Sequence, residues 1–365
     1  MMDTQRPASI GESLLRELPL SPDAYAQNVD FAPQSALLVH LDARTYRAAS
    51  FLDDRVLAPD MRGAWLPFGR VAEASLQVKS RRPLHFIFHT GHVGSTLLTR
   101  LLEDAADVLS LREPLPLRAL AQAHDALGQV DSLLSQKEFD AALGTFLRLW
   151  SRGYSATQAV VVKATSTAGR IAAPVLEADA ASRAIYMNLR AEPYLTTLLA
   201  GQNSPIDLRG HGPERMRRLQ SRSTEPLPPL SGLSLGELAA MSWLCETCTQ
   251  CEAAKRFPDR VMALDFDDLL ASVGGTMARA LAHLALPHDD QIVSAIGHSA
   301  SLTRYSKAPE YEYSPSIRAE VLRESRRDHG EEIRRGMAWL EDRARSDPAL
   351  ARIVSGASLG ARVSS

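Results

Sequence analysis

The chain predicts an α/β fold: a parallel sheet flanked by helices, with an N-terminal extension and a C-terminal helical tail. Three observations carry this. Short apolar runs such as "PLHFIFH", "QAVVVKAT", "SRAIYMNLR" and "DRVMALDF" recur through the middle of the chain. They are rich in β-branched and aromatic residues, the composition of strands buried on both faces. Helical spacing fills the stretches between them, and strands joined by helical crossovers pair in parallel with helices on both sides.

The bulk numbers fit. The chain has 365 residues, 45% hydrophobic and 23% charged, enough for one large domain with extensions or for two domains. A net charge of −2 gives no global field to attract nucleic acid or a membrane surface, so neither is expected as a partner. Three cysteines exclude a disulfide scaffold and suit a reducing compartment. The first residues, "MMDTQRPASIGESLLRELPL", lack a long apolar core, and no stretch approaches a membrane span. The cytoplasm is the expected location.

Taken in order, residues 1–80 read as an extension packed on the core, with short apolar runs such as "ALLVHL" (36–41) and no visible chemistry. Residues 81–316 read as the core. Its first strand ends near His89, and a helix follows over Thr96–Ala105 with Leu97, Leu98, Leu101, Leu102 and Ala105 on one face. A second strand spans Asp107–Leu111, and helical pattern resumes as far as Trp150. Strands follow at Gln158–Thr165 and Ser182–Arg190. Asp259–Leu270 reads as strand, turn and helix. Residues 209–234 are rich in Pro, Gly, Ser and Arg and read as a long loop, a solvated lid. Residues 317–365 are charged and helical, expected as surface helices.

The turn Thr90–Thr96 carries the chemistry. It follows a buried strand and opens a helix, the setting in which backbone N–H groups and the helix dipole gather on an anion. Gly91 and Gly94 remove side chains from the approach, and Ser95 and Thr96 add hydroxyl donors. A plain strand-to-helix turn capped by a serine is the structural alternative. A Walker A loop would place Lys before the hydroxyl, and none is there, so the loop suits one phosphate rather than a metal-bound phosphate pair. Three charged residues stand at other strand ends: Glu113, Lys163 and Arg190. In an open parallel sheet, ligands bind at those ends. Cys245, Cys248 and Cys251 suggest a metal site, but on an intact helix the outer two lie about 9 Å apart along the axis, which favours a core face.

These pieces resemble, in order, the sulfotransferase family that uses 3′-phosphoadenosine 5′-phosphosulfate (PAPS). "FHTGHVGSTLLTRLL" is similar to the family's first signature in Gly94-Ser95-Thr96 and the Leu-rich helix. "AIYMNLRAEPYLTTLLAG" is similar to the second, and "VMALDFDDLLASVGGTMARALAHLALP" to a later strand, acidic turn and helix. The resemblance implies a P-loop NTPase-like sheet and transfer of a sulfuryl group to a hydroxyl or amine on a small molecule, sugar or peptide. It also implies that no metal is required. It places the 5′-phosphate in Gly91, His92, Val93, Gly94, Ser95 and Thr96, with His92 where the family has Lys or Arg. It makes Glu113 the base, the alternative being a cap on the next helix, and sets Lys163 on the sulfuryl oxygens. Arg190 and Thr197 would bind the 3′-phosphate, with Arg304 and Lys307 in a late basic loop. The alternatives are a small-molecule kinase using ATP, Mg²⁺ and an acid such as Asp265, and a nucleotide-binding protein without turnover.

Overall fold

A computed structural model describes residues 7–305 and 312–356. Its centre is a parallel sheet of β4 (Leu84–His89), β5 (Val108–Arg112), β6 (Ala159–Lys163), β7 (Ala184–Asn188) and β8 (Val261–Asp265). Three further strands, β1 (Ala24–Asp30), β2 (Ser35–His40) and β3 (Gly63–Pro67), form a separate antiparallel sheet in that order.

The parallel sheet has the order β5-β6-β4-β7-β8. From β4 the chain moves outward to β5 and returns to β6; it then crosses to β7 and β8 on the other side of β4. The connections diverge at β4, so the crevice for a ligand opens at its carboxyl end. Every residue of β4, β6 and β7 is buried. Alternate residues serve opposite faces. Phe86, Phe88, Val160, Val162 and Tyr186 join the core beneath the extension. Ile87, Val161, Ile185 and Met187 join the core beneath Leu97, Leu98 and Leu101. Each such side chain contributes about 1.5–3 kcal/mol through burial. The two-faced burial is why these strands read as unbroken apolar runs.

The N-terminal sheet packs through β1 on the helix Leu115–Ala126. The connection between β2 and β3 reaches the parallel sheet, where the Leu52 N–H donates to the Arg112 carbonyl at 2.7 Å. Among the described residues, no helix is long and apolar enough to cross a membrane.

Two sequence expectations change. The first half of the stretch expected as a solvated lid over 209–234 belongs to a helix, Ser204–Gln220, and the second half is mostly irregular. Arg209 and Arg217 are exposed as expected, but two of its arginines are drawn inward. Arg215 is buried and its Nε stands 3.2 Å from Glu246 Oε1, while Arg218 Nη2 lies 2.6 Å from the same oxygen. Glu246 lies on the helix Leu235–Arg256, so the charge that made the stretch look exposed is matched across a helix interface. The tail is also more than a surface appendage. Its helix Gly330–Ser346 lies on Leu235–Arg256 with Gly336 against Gly236, where an added Cβ on Gly336 would fall 2.5 Å from the Gly236 carbonyl oxygen. Trp339 and Leu340 are buried there.

Candidate active site

The turn after β4 is fixed from both sides. Gly91 N–H donates to His89 Nδ1 at 3.1 Å, so the proton of His89 sits on Nε2, which donates to the Ala164 carbonyl at 2.9 Å. Thr90 Oγ1 donates to Asn188 Oδ1 at 3.0 Å, and the Asn188 amide donates to Thr247 and Gln250. Tyr194 OH donates to the Thr90 carbonyl at 3.1 Å. The loop is therefore built before any ligand arrives.

Its backbone takes the left-handed conformation at Gly91 (φ 102°), His92 (φ 55°) and Gly94 (φ 71°). Gly94 is required twice over: beyond its φ, an added Cβ would stand 2.1 Å from Phe266 Cε2. The helix Ser95–Ala105 begins directly after it, with its first-turn N–H groups outside the intrahelical ladder. Thr96 is buried, and its hydroxyl has no hydrogen-bond partner among the described residues. A buried, unsatisfied donor at a helix N-terminus fits an anion.

The loop forms one wall of a cavity of about 400 Å³. His92, Val93, Gly94, Ser95 and Thr96 line it. So do Glu113, Thr197 and Arg304 from distant parts of the chain. Gly91, Lys163 and Arg190 are not among the lining residues. Gly91 shapes the turn behind the wall. Arg190 is exposed at the N-terminal end of the helix Ala191–Leu199. Lys307 lies outside the described residues.

Lys163 is paired with Glu113. Its side chain is fully buried and its Nζ pairs with Glu113 Oε1. The Glu113 N–H donates to the Lys163 carbonyl at 2.7 Å, so β5 and β6 deliver the pair as a unit. Glu113 does not cap the next helix; Pro114 holds that position and no side chain caps it. Glu113 is instead held at φ 57°, a strained value for a residue with a Cβ. The extension also reaches this pair, with the Phe51 ring 5.5 Å from Lys163 Nζ and Arg55 stacked on Phe51 at 3.7 Å.

The sequence reading missed His89, Phe266, Tyr305, Tyr313 and Arg318, which complete the cavity. Phe266 follows the acidic turn that the reading did single out. Arg318 belongs to the tail, whose charge pattern hid it, and Tyr313 stands just before it.

Two alternatives find little support in the geometry. Asp265, the acid a kinase would need, accepts the Asp267 N–H at 2.8 Å and caps the helix Phe266–Ala271. Burial raises its pKa. Cys245 and Cys248 are buried in the core, and burial pushes the Cys248 thiol up to about 12. Among the described residues, no three His, Cys, Asp or Glu side chains gather as a metal site.

No protein-family profile matches the chain, and a comparison with curated proteins finds no relative. Solved structures do match, and sulfotransferases are among them. One is the sulfotransferase domain from the curacin biosynthetic pathway (16% identity, 64% of this chain and 85% of that one, TM-score 0.37). Another is the sulfotransferase domain of the Synechococcus PCC 7002 olefin synthase (13% identity, 77% and 96%, TM-score 0.40). A third is mouse sulfotransferase SULT7A1 complexed with PAP (11% identity, 78% and 93%, TM-score 0.39). At these values the likeness carries no residue roles across, and those roles rest on the chain's own geometry.

Proposed function

We propose that the protein is a sulfotransferase that moves a sulfuryl group from PAPS to a hydroxyl or amine acceptor. One observation carries the reading. A preformed anion loop without a Walker lysine, holding the unsatisfied Thr96 hydroxyl, opens into the same cavity as Glu113, a carboxylate held by a buried lysine.

The residues divide the work. The loop Gly91–Thr96 and the helix behind it hold the donor's 5′-phosphate, where negative charge grows as the S–O bond breaks. Preorganised donors act most strongly on such developing charge. Glu113 takes the proton from the acceptor as the new O–S or N–S bond forms and the bond to the 5′-phosphate oxygen breaks, and adenosine 3′,5′-bisphosphate leaves. Lys163, behind the cavity wall, sets the orientation of Glu113, and His92 on the loop meets the sulfuryl oxygens. Thr197 and Arg304 contact the nucleotide. A sulfuryl group carries less charge than a phosphoryl group, so the chemistry proceeds without a metal.

The test is calorimetry in the absence of metal with adenosine 3′,5′-bisphosphate, AMP and ATP, followed by transfer of labelled sulfuryl from PAPS to a panel of phenols, sugars and amines. Tight binding of the bisphosphate, with transfer lost in Glu113→Gln, supports the reading. A preference for ATP that requires Mg²⁺ would overturn it in favour of a kinase.

A further inference from the structure

The strand order sets the Glu113–Lys163 pair between two structures. The anion loop follows β4, Lys163 ends β6, and Glu113 follows β5, the edge strand on that side. Neighbouring strands lie about 4.8 Å apart, so roughly 10 Å separates the strand of the loop from that of the carboxylate. The extension stands on the carboxyl end of β5. Besides the bond from Leu52, Arg112 Nη1 donates to the Tyr46 carbonyl at 3.0 Å and the Ala49 carbonyl at 2.8 Å. Arg100 Nη2 donates to Ser50 Oγ at 3.2 Å. The segment Tyr46–Leu52 is therefore fixed beside Glu113.

This segment borders a second cleft, of about 700 Å³, that shares no lining residue with the anion-loop cavity. Asp42, Arg44, Thr45, Ser50, Phe51 and Arg55 line it, with two alanines and a valine. Arg55 is paired with Asp53, its Nε 2.8 Å from Oδ1, and stacks on the Phe51 ring. The same ring stands 5.5 Å from Lys163 Nζ, so Phe51 joins the cleft to the Glu113–Lys163 pair. Arg55 is held above its usual pKa by its bond to Asp53, and the Glu113 charge also acts on it.

We infer that this cleft is the acceptor site, and that the acceptor is a hydroxyl-rich molecule of the carbohydrate class. The inference rests on the proposed sulfuryl transfer. In-line transfer sets the attacking oxygen opposite the leaving phosphate. The loop holds that phosphate beyond β4, so the acceptor comes to Glu113 from the β5 side, where the cleft lies. One acceptor hydroxyl passes Phe51 and gives its proton to Glu113 as its O–S bond forms and the bond from sulfur to the 5′-phosphate oxygen breaks. The lining selects the class. Arg44 and Arg55 donate, Asp42 accepts, Thr45 and Ser50 carry hydroxyls, and Phe51 offers an apolar surface. A sugar has hydroxyls for each of these while one reacts. A simple phenol spends its single hydroxyl in the reaction and leaves the polar lining unmatched.

The experiment measures transfer of labelled sulfuryl from PAPS to cellobiose, lactose and maltose and to p-cresol and naphthol. Binding of adenosine 3′,5′-bisphosphate is followed by calorimetry beside it. A disaccharide is expected to exceed both phenols in kcat/KM by about tenfold or more. Arg44→Ala and Phe51→Leu should each raise the disaccharide KM about three- to tenfold, with kcat within about twofold and bisphosphate binding unchanged. Arg44 is exposed and Phe51→Leu keeps an apolar side chain over Lys163, so both variants should fold. Arg47→Ala removes an equal charge from the same helix, Ala43–Ala48, outside the cleft, and should leave KM as it was. Three results overturn the inference while the donor reading stands: a preference for the phenols, no transfer to any probe while the bisphosphate binds, or a disaccharide KM that Arg44→Ala and Phe51→Leu move no more than Arg47→Ala does. No binding of the bisphosphate overturns the donor reading, and the inference with it.

Discussion

Replacing Gly94 with alanine tests whether the loop is a built anion site. Two separate costs apply. Its φ of 71° is in the left-handed region, where an L-residue costs roughly 1–2 kcal/mol. The new Cβ would also sit 2.1 Å from Phe266 Cε2, 2.4 Å from Cδ2 and 2.7 Å from Cζ, so the ring must leave its place. Overpacking of this kind costs roughly 1–3 kcal/mol. The sum is about 2–5 kcal/mol. Gly128 provides the control: its φ is 76°, yet nothing lies within 4 Å of an added Cβ. Gly128→Ala should therefore cost about 1–2 kcal/mol, the conformational part alone. The assay is urea unfolding, read as a midpoint shift at unchanged slope. Adding Phe266→Ala to Gly94→Ala should recover about 1–3 kcal/mol relative to the sum of the single changes, because the clash disappears with the ring. Nucleotide binding should fall at least tenfold in Gly94→Ala and remain intact in Gly128→Ala. Equal stability losses in the two alanine variants, with binding unaffected in both, would refute the reasoning.

Glu113→Gln should reduce sulfuryl transfer by about 10²–10⁴-fold. It should also destabilise the fold by about 2–3 kcal/mol, because the buried Lys163 ammonium loses its counter-charge; a pure loss of activity at full stability would mean that the pair is not coupled as drawn. His92→Lys should raise kcat about three- to tenfold at pH 7.5 by placing a permanent charge on the loop, and a fall would remove His92 from the reaction. His85 gives a pH prediction: burial lowers its pKa to about 4, and its Nδ1 accepts the Arg183 N–H. The unfolded chain takes up this proton near pH 6.5 and the folded one only near 4, so stability falls as pH drops through that window. The loss is about 2 kcal/mol at pH 5, and urea midpoints for His85→Gln should be flatter between pH 7 and 5.

The central sheet was legible because its strands are buried on both faces; no polar alternation interrupts "FIF", "VVV" or "AIYM". The loop was legible because glycine and hydroxyl residues there answer a local backbone need. Glu113 was legible as an acid at a strand end, but its positive φ and its bond to Lys163 depend on the pairing of β5 with β6. What the sequence hid was charge neutralised at a distance. Arg215 and Arg218 look like surface residues until Glu246, some 30 residues later, is placed beside them. Arg318 sits in "SIRAEVLRESRR", a pattern indistinguishable from a solvated helix, and only the docking of Ser325 on Thr196 turns it toward the cavity. Arg190 stands just past the end of β7, exposed at the start of the next helix and not among the residues that line the cavity.

The placement of Arg318 also sets an order of assembly during synthesis. The sheet is complete once β8 ends at Asp265, and the helix that closes the cavity begins at Pro315, 50 residues later. At ribosomal speeds that interval lasts roughly 3–10 s. For that time the nascent chain has its anion loop and its Glu113–Lys163 pair but lacks the wall that holds Arg318. A chain ending before this helix would keep the loop and the Glu113–Lys163 pair but would lose the wall that Arg318 and Leu322 give the cavity.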